Sequence, residues 1–188
     1  MKDLWRGLVV LVFLVIITGV IYPLFITGIG HVVFPKKSTG SLIELQGRLV
    51  GSELIGQNFT SPRYFWGRPS ATFPPYNPLA SQAADLGPTN PTLVQNVAAR
   101  IKMLQKDNPH QKIRIPIDLV TSSASGLDPH ISLLSAEYQV PRVARARGLK
   151  ESVVDALIKK NTITPQFSFM GQARVNVLQL NLALDQLK

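Results

Sequence analysis

Between Gly7 and Pro35 the chain has no Lys, Arg, Asp or Glu, a run of 29 residues. Its apolar part, Leu8 to Phe34, is 27 residues long. As a helix at ~1.5 Å per residue it would reach about 40 Å, more than a bilayer core requires. Such a run predicts a spanning helix with room for tilt. A cleaved signal peptide has an apolar stretch of only about 7–15 residues and a small-residue cleavage site. This run is too long and has no such site. Trp5 stands where an interfacial anchor belongs. Lys2 and Arg6 before the span balance Lys36 and Lys37 after it, so the positive-inside rule assigns no orientation.

Pro23 lies mid-span and cannot donate to the Gly19 carbonyl, so a kink is expected there. Gly19, Pro23, Thr27 and Gly30 follow one another at i, i+4, i+8 and i+11, one face of a helix. Small residues on one face let a second backbone approach closely. The spacing predicts a contact with a partner helix at these four residues.

The remaining chain, 36–188, carries 18 basic and 10 acidic residues, a net charge of +8. About 150 residues suffice for one real core. The division expected is a membrane anchor, 1–35, and a polar domain, 36–188. Cysteine is absent, which excludes disulfides, thiolate metal sites and a cysteine nucleophile.

Residues 40–57 read as short strands broken by Gly47, Gly51 and Gly56. Residues 58–91 hold seven prolines and six of the chain's 14 aromatics. A long irregular loop with that aromatic content is functional rather than disordered. Asn90 and Pro91 should start a helix whose apolar stripe, Leu93, Val97, Ile101 and Leu104, stops at Asn108-Pro109. Ile113, Ile115, Ile117 and Leu119 alternate as a half-buried edge strand. Asp128 should cap a second helix, Pro141 should open a third, and Lys150 to Lys160 forms a fourth. The tail from Asn176 to Leu187 favours helix. Strands and helices in segregated order predict an α+β fold: one N-terminal transmembrane helix, then a single mixed helix/strand domain.

The chemistry-bearing motifs are sparse. There is no Gly-Lys phosphate loop, no H-E-x-x-H and no nucleophile elbow. His31, His110 and His130 are far apart. Asp118 and Asp128 flank a polar loop and are the sole mild candidates for acid–base work, though structural roles suit them better. They are what a membrane-tethered outer-face enzyme would have to use. Arg142, Arg145 and Arg147, with Lys150 beyond, could attract anionic lipid, as in a lipid-binding anchor protein, or form a solvated cationic face. No aromatic stands beside them to stack bases, so nucleic acid is not an expected partner.

Longer blocks carry a resemblance. They are Gly51-Ser-Glu-Leu-Ile-Gly-Gln-Asn-Phe-Thr60, Tyr64-Phe-Trp-Gly-Arg-Pro-Ser-Ala71, Tyr76-Asn-Pro78, Asp118-Leu-Val-Thr121, Ser125-Gly-Leu-Asp-Pro-His-Ile131, Arg142-Val-Ala-Arg-Ala-Arg147 and Val175-Asn-Val177 with Asn181-Leu-Ala-Leu-Asp185. In this order, behind one span, they resemble the C subunit of the Kdp potassium-transporting ATPase, the KdpC family, over nearly the whole chain. The resemblance implies a non-catalytic accessory subunit of an ATP-driven potassium importer. It implies three partners: a channel-like subunit, a P-type ATPase subunit and a small single-helix subunit. It also implies a single-pass protein of the inner membrane with a cytoplasmic N-terminus and an extracytoplasmic domain. No tightly bound cofactor is implied.

Two mechanisms are attached to that family. In one the subunit is a catalytic chaperone that raises the ATP affinity of the hydrolysing subunit, and Gln139 is the residue carried over as a nucleotide contact. In the other the domain braces the channel-like subunit against the ATPase subunit. ATP is cytosolic, so a domain on the outer face favours the second. Interface cores favour Tyr, Trp, Phe and Arg, which makes the Pro-rich loop 58–78, with Tyr64, Trp66 and Arg68, the expected subunit contact.

Overall fold

The computed structural model describes residues 1–109, 111 and 113–187; His110 lies outside them. They divide into two compact units, Met1–Ser52 and Glu53–Lys188.

The first unit is led by helix α1, Lys2–Val33, long and apolar enough to cross a bilayer. Its large apolar side chains are exposed along its length, as lipid-facing side chains are. The break expected near Pro23 takes the form of one π-helical turn, Ile17–Ile21, where the Tyr22 N–H donates to the Ile17 carbonyl. A π turn shifts the bonding ladder by one residue. It does so just before a residue that has no N–H to contribute. A short turn, Pro35–Ser38 (α2), leads to an antiparallel hairpin of β1, Leu42–Leu45, and β2, Arg48–Ser52. Its two-residue connection, Gln46-Gly47, has φ of 52° and 73°. Two positive φ values in succession match the right-handed twist of the strands, and glycine takes one of them without strain.

The second unit holds α3, Pro91–Asp107; a 3-10 turn, Ile117–Leu119; β3, His130–Ser132; α4, Leu133–Arg147; α5, Glu151–Lys160; β4, Thr162–Ile163; β5, Arg174–Asn176; and α6, Val177–Asp185. Strand β5 is central, antiparallel to both β3 and β4. The main core lies between this small sheet and α4, α5 and α6, where Ile131, Val143, Val154, Ile158, Val175, Leu180 and Leu184 are buried with Phe65. A second cluster, Trp66, Leu104, Leu119 and Tyr138, sits under α3. This is the α+β arrangement that the sequence predicts.

Three local expectations change. Asp128 caps no helix: its Oδ1 accepts the His130 N–H at 3.0 Å, and α4 is capped by Ser132 instead, whose Oγ accepts the Ser135 N–H. Pro141 does not open a third helix but lies inside α4. A proline in a helix interior costs about 3 kcal/mol, and burial of Ala136, Val140, Val143 and Ala144 on both sides of it offsets that. Residues 113–119 form no strand. Asp118, in the 3-10 turn, accepts from the Ser132 N–H at 2.8 Å and from the Ser135 hydroxyl. Those bonds tie the segment to the start of α4 rather than to a strand.

Candidate functional site

Residues 53–90 contain no helix or strand, yet Phe65, Trp66 and Thr72 are buried. A buried backbone without secondary structure must find partners for its N–H and C=O groups. Here two helices supply them from side-chain amides. Asn181 on α6 accepts the Phe65 N–H at 2.8 Å and donates to the Phe65 carbonyl at 3.0 Å. Gln139 on α4 does the same for Trp66, at 2.8 and 3.1 Å. Each amide stands in for a strand neighbour.

Arg142, one turn on from Gln139, completes the clamp. Its Nη1 donates to the carbonyls of Pro62 and Tyr64 at 2.9 and 3.0 Å. Its Nη2 donates to Gln139 Oε1 at 2.6 Å. The guanidinium carbon lies 3.8 Å from the centre of the Trp66 ring. Burial lowers the Arg142 pKa to about 10, so the cation persists at neutral pH and is held by carbonyl dipoles and a ring face.

The second half of the loop is fixed by Tyr76. Its ring packs against Gly56 and Gly67: a Cβ at Gly56 would stand 2.8 Å from Tyr76 Cδ1, and one at Gly67 would collide with the hydroxyl. That hydroxyl donates to the Arg68 carbonyl at 2.6 Å. Burial, then the charge of Asp128, pushes the Tyr76 pKa up to about 12, so it remains a donor. Arg68 in turn reaches Asp128 at 3.4 Å and the Ser122 carbonyl at 3.1 Å. Burial alone would raise the Asp128 pKa, but hydrogen bonds from His130 and the charge of Arg68 outweigh it and hold the carboxyl below its usual range. Between the loop and α3 lies a cavity of about 380 Å³, lined by Trp66, Arg68, Tyr76, Arg100, Met103 and Asp107 among others.

The structure brings Tyr64, Trp66, Arg68 and Gln139 into this one constellation, but with most of their polar groups engaged inside the domain. Gln139 is fully buried. Its oxygen serves Trp66 and Arg142, and its nitrogen serves the Trp66 and Ser135 carbonyls. Trp66 is 4% exposed, and its Nε1 donates to the Ser61 carbonyl at 2.9 Å. Tyr64 donates to the Asp185 carboxylate at 3.0 Å, and Arg147 lies over its ring. The most exposed large apolar side chains of residues 53–90 are Phe73 and Leu79, at 91% and 94%.

The arginine cluster does not form one cationic face. Arg142 is buried, and Arg147 is held by the Asp185 carboxylate at 2.7 Å and by the carbonyls of Arg63 and Leu184. Of the four cations grouped there, Arg145 and Lys150 remain exposed. Asp118 and Asp128 serve as structural acceptors for α4 and for Arg68. Along the span, Gly19 falls within the π turn, while Pro23, Thr27 and Gly30 follow on the α-helical stretch Tyr22–Val33. Nothing lies within 4 Å of a Cβ placed at Gly19 or Gly30. Residue-by-residue reading gives no role to Asn181 or Tyr76. Arg142 could have been found, because it sits three residues from Gln139 on the helix face that carries Ala136, Val140 and Val143.

Residues 4–186 match the family model of KdpC, the K+-transporting ATPase c chain. The chain is 55% identical over 187 residues to the potassium-transporting ATPase KdpC subunit of Methylibium petroleiphilum, covering 98% of each chain. It is 54% identical over 190 residues to that of Polaromonas naphthalenivorans, covering 100% of this chain and 97% of the relative. It is 52% identical over 183 residues to that of Methylococcus capsulatus, covering 97% and 96%. The chain belongs to the KdpC family. As a KdpC chain it is a subunit of the K+-transporting ATPase, and the candidate span Lys2–Val33 agrees with a place in the membrane.

Proposed function

We propose that this KdpC chain is a non-catalytic accessory subunit that braces the channel-like and P-type ATPase subunits of the potassium importer, and that the clamped segment 58–78 shapes the face that meets them. The clamp itself supports this most directly. Gln139, Arg142 and Asn181 are buried polar groups spent on fixing backbone 62–66, as a scaffold requires. In this reading Gln139 is a bracing residue rather than a nucleotide contact, because its amide is already saturated. Tyr64, Trp66 and Arg68 set the shape of the surface, and Phe73, with Leu79 just beyond the segment, presents it.

The reading places the domain on the outer face, the N-terminus in the cytoplasm, and the small-residue face of Gly19, Pro23, Thr27 and Gly30 against a partner's helix. The test is co-expression of full-length chain carrying Phe73→Ser and Leu79→Ser with the other subunits, followed by mild detergent extraction. Recovery of the complex should fall while the variant chain stays membrane-bound and folded. Undiminished recovery together with undiminished potassium-dependent ATPase activity would remove this segment from the interface.

A further inference from the structure

The connection between β4 and β5 is a tip that the fold leaves open. Gln166 and Met170 form an isolated antiparallel bridge, with N···O distances of 3.2 and 2.9 Å. They enclose Phe167, Ser168 and Phe169. Phe167 and Ser168 have φ of 52° and 65°, a left-handed conformation that side chains other than glycine and asparagine rarely take. Positive φ at two successive positions ordinarily falls to Gly or Asn. This one puts a phenylalanine there instead and projects it outward. Phe167 and Phe169 are 80% and 79% exposed, their ring centres 6.4 Å apart, and Met170 and Ile163 are exposed beside them. An exposed apolar group of this size marks a surface that something else covers.

The charges around it say what that is. No acidic residue lies between Asp155 and Asp185, while Lys159, Lys160 and Arg174 flank the tip. Both lysines are exposed at the end of α5; Lys159 shares a pocket with Glu137, Glu151 and Asp155, so Lys160 is the uncompensated one, and Arg174 stands opposite Ile163 in the β4–β5 register. Aromatic and Met side chains at a turn, with Lys160 before it and Arg174 after it in the chain and no carboxylate between them, are the composition that enters a membrane interface carrying anionic headgroups. The same chain carries a spanning helix, so the domain is tethered to a bilayer and works at high effective lipid concentration.

We infer that residues 163–171 form a second membrane contact, in which Phe167, Phe169 and Met170 enter the interfacial layer of a bilayer containing anionic lipid. This uses the tether but not the pump assembly, and the co-purification experiment above reads assembly separately. The chain has no cysteine, so Phe169→Cys gives a unique attachment point for an environment-sensitive fluorophore. The labelled full chain is reconstituted without other subunits into vesicles of mixed zwitterionic and anionic phospholipid. The label should be quenched by a spin label near the top of the lipid acyl chain and protected from aqueous iodide. Replacing Lys160 and Arg174 by Gln should lower the partition constant of the tip, read from the quenched fraction, about fivefold for each cation removed. Phe167→Cys provides a second site should the first label perturb the turn. Iodide access without lipid quenching at both sites overturns the inference. So does protection that arises only when the other subunits are added, since the tip would then be a protein-docking surface.

Discussion

Two irregular segments of the polar domain carry aromatic residues, and they end in opposite places. In the Pro-rich loop Phe65 and Trp66 are buried; in the β4–β5 tip Phe167 and Phe169 stand open. The difference is not side-chain hydrophobicity, which is comparable. A loop can go inside only if its peptide groups are satisfied there. Asn181, Gln139 and Arg142 do that for residues 62–66. At the tip the two backbone bonds between Gln166 and Met170 close the turn on itself. Burial of an irregular segment is therefore decided by polar groups on the elements beneath it.

The sharpest way to break this comparison is Arg142→Ala. It takes donors from the Pro62 and Tyr64 carbonyls and from Gln139, and leaves a void at the Trp66 ring. The expected loss is about 3 kcal/mol. Denaturant unfolding of the full chain in detergent would show it, followed by Trp66 fluorescence in a Trp5→Phe background. A loss below about 0.5 kcal/mol, the range of ordinary surface changes, would mean the clamp does not hold the loop. Gly67→Ala comes next. Its Cβ must displace the Tyr76 hydroxyl from the Arg68 carbonyl, an overpacking cost of about 1–3 kcal/mol. The same unfolding measurement, with proteolysis between residues 67 and 76 as a second readout, would detect it. Phe167→Ser combined with Phe169→Ser should be the mildest, within about 0.5 kcal/mol for the domain, because neither ring contributes to either core. A large destabilisation there would make the tip part of the fold, and the contrast between the two segments would fail.

Much of the layout was legible. The span declares itself by length and lack of charge. Helix α3 was marked by Asn90, Pro91 and an apolar stripe, and α5 by Val153, Val154, Leu157 and Ile158, expected inward, of which Val154 and Ile158 are buried while Val153 is exposed. What misled was punctuation. Pro141 reads as a start signal, but its neighbours on α4 are buried on either side and carry the helix through. The alternating isoleucines at 113–117 read as a strand, but Asp118 is tied to the start of α4. Arg142, Arg145 and Arg147 read as a charged face because spacing alone does not say which arginine finds carbonyl partners inside.

The sequence by itself determined that this chain has a helix long and apolar enough to cross a membrane, an α+β domain behind it and an irregular aromatic loop. These follow from local composition and periodicity, which act over a few residues. Only the tertiary structure decided that Gln139, Arg142 and Asn181 hold that loop, and that Trp66 faces in while Phe167 faces out. Residues 65 and 181, or 66 and 139, are brought together by the packing of α4 and α6, and hydrogen-bond satisfaction at such distances along the chain leaves no local trace.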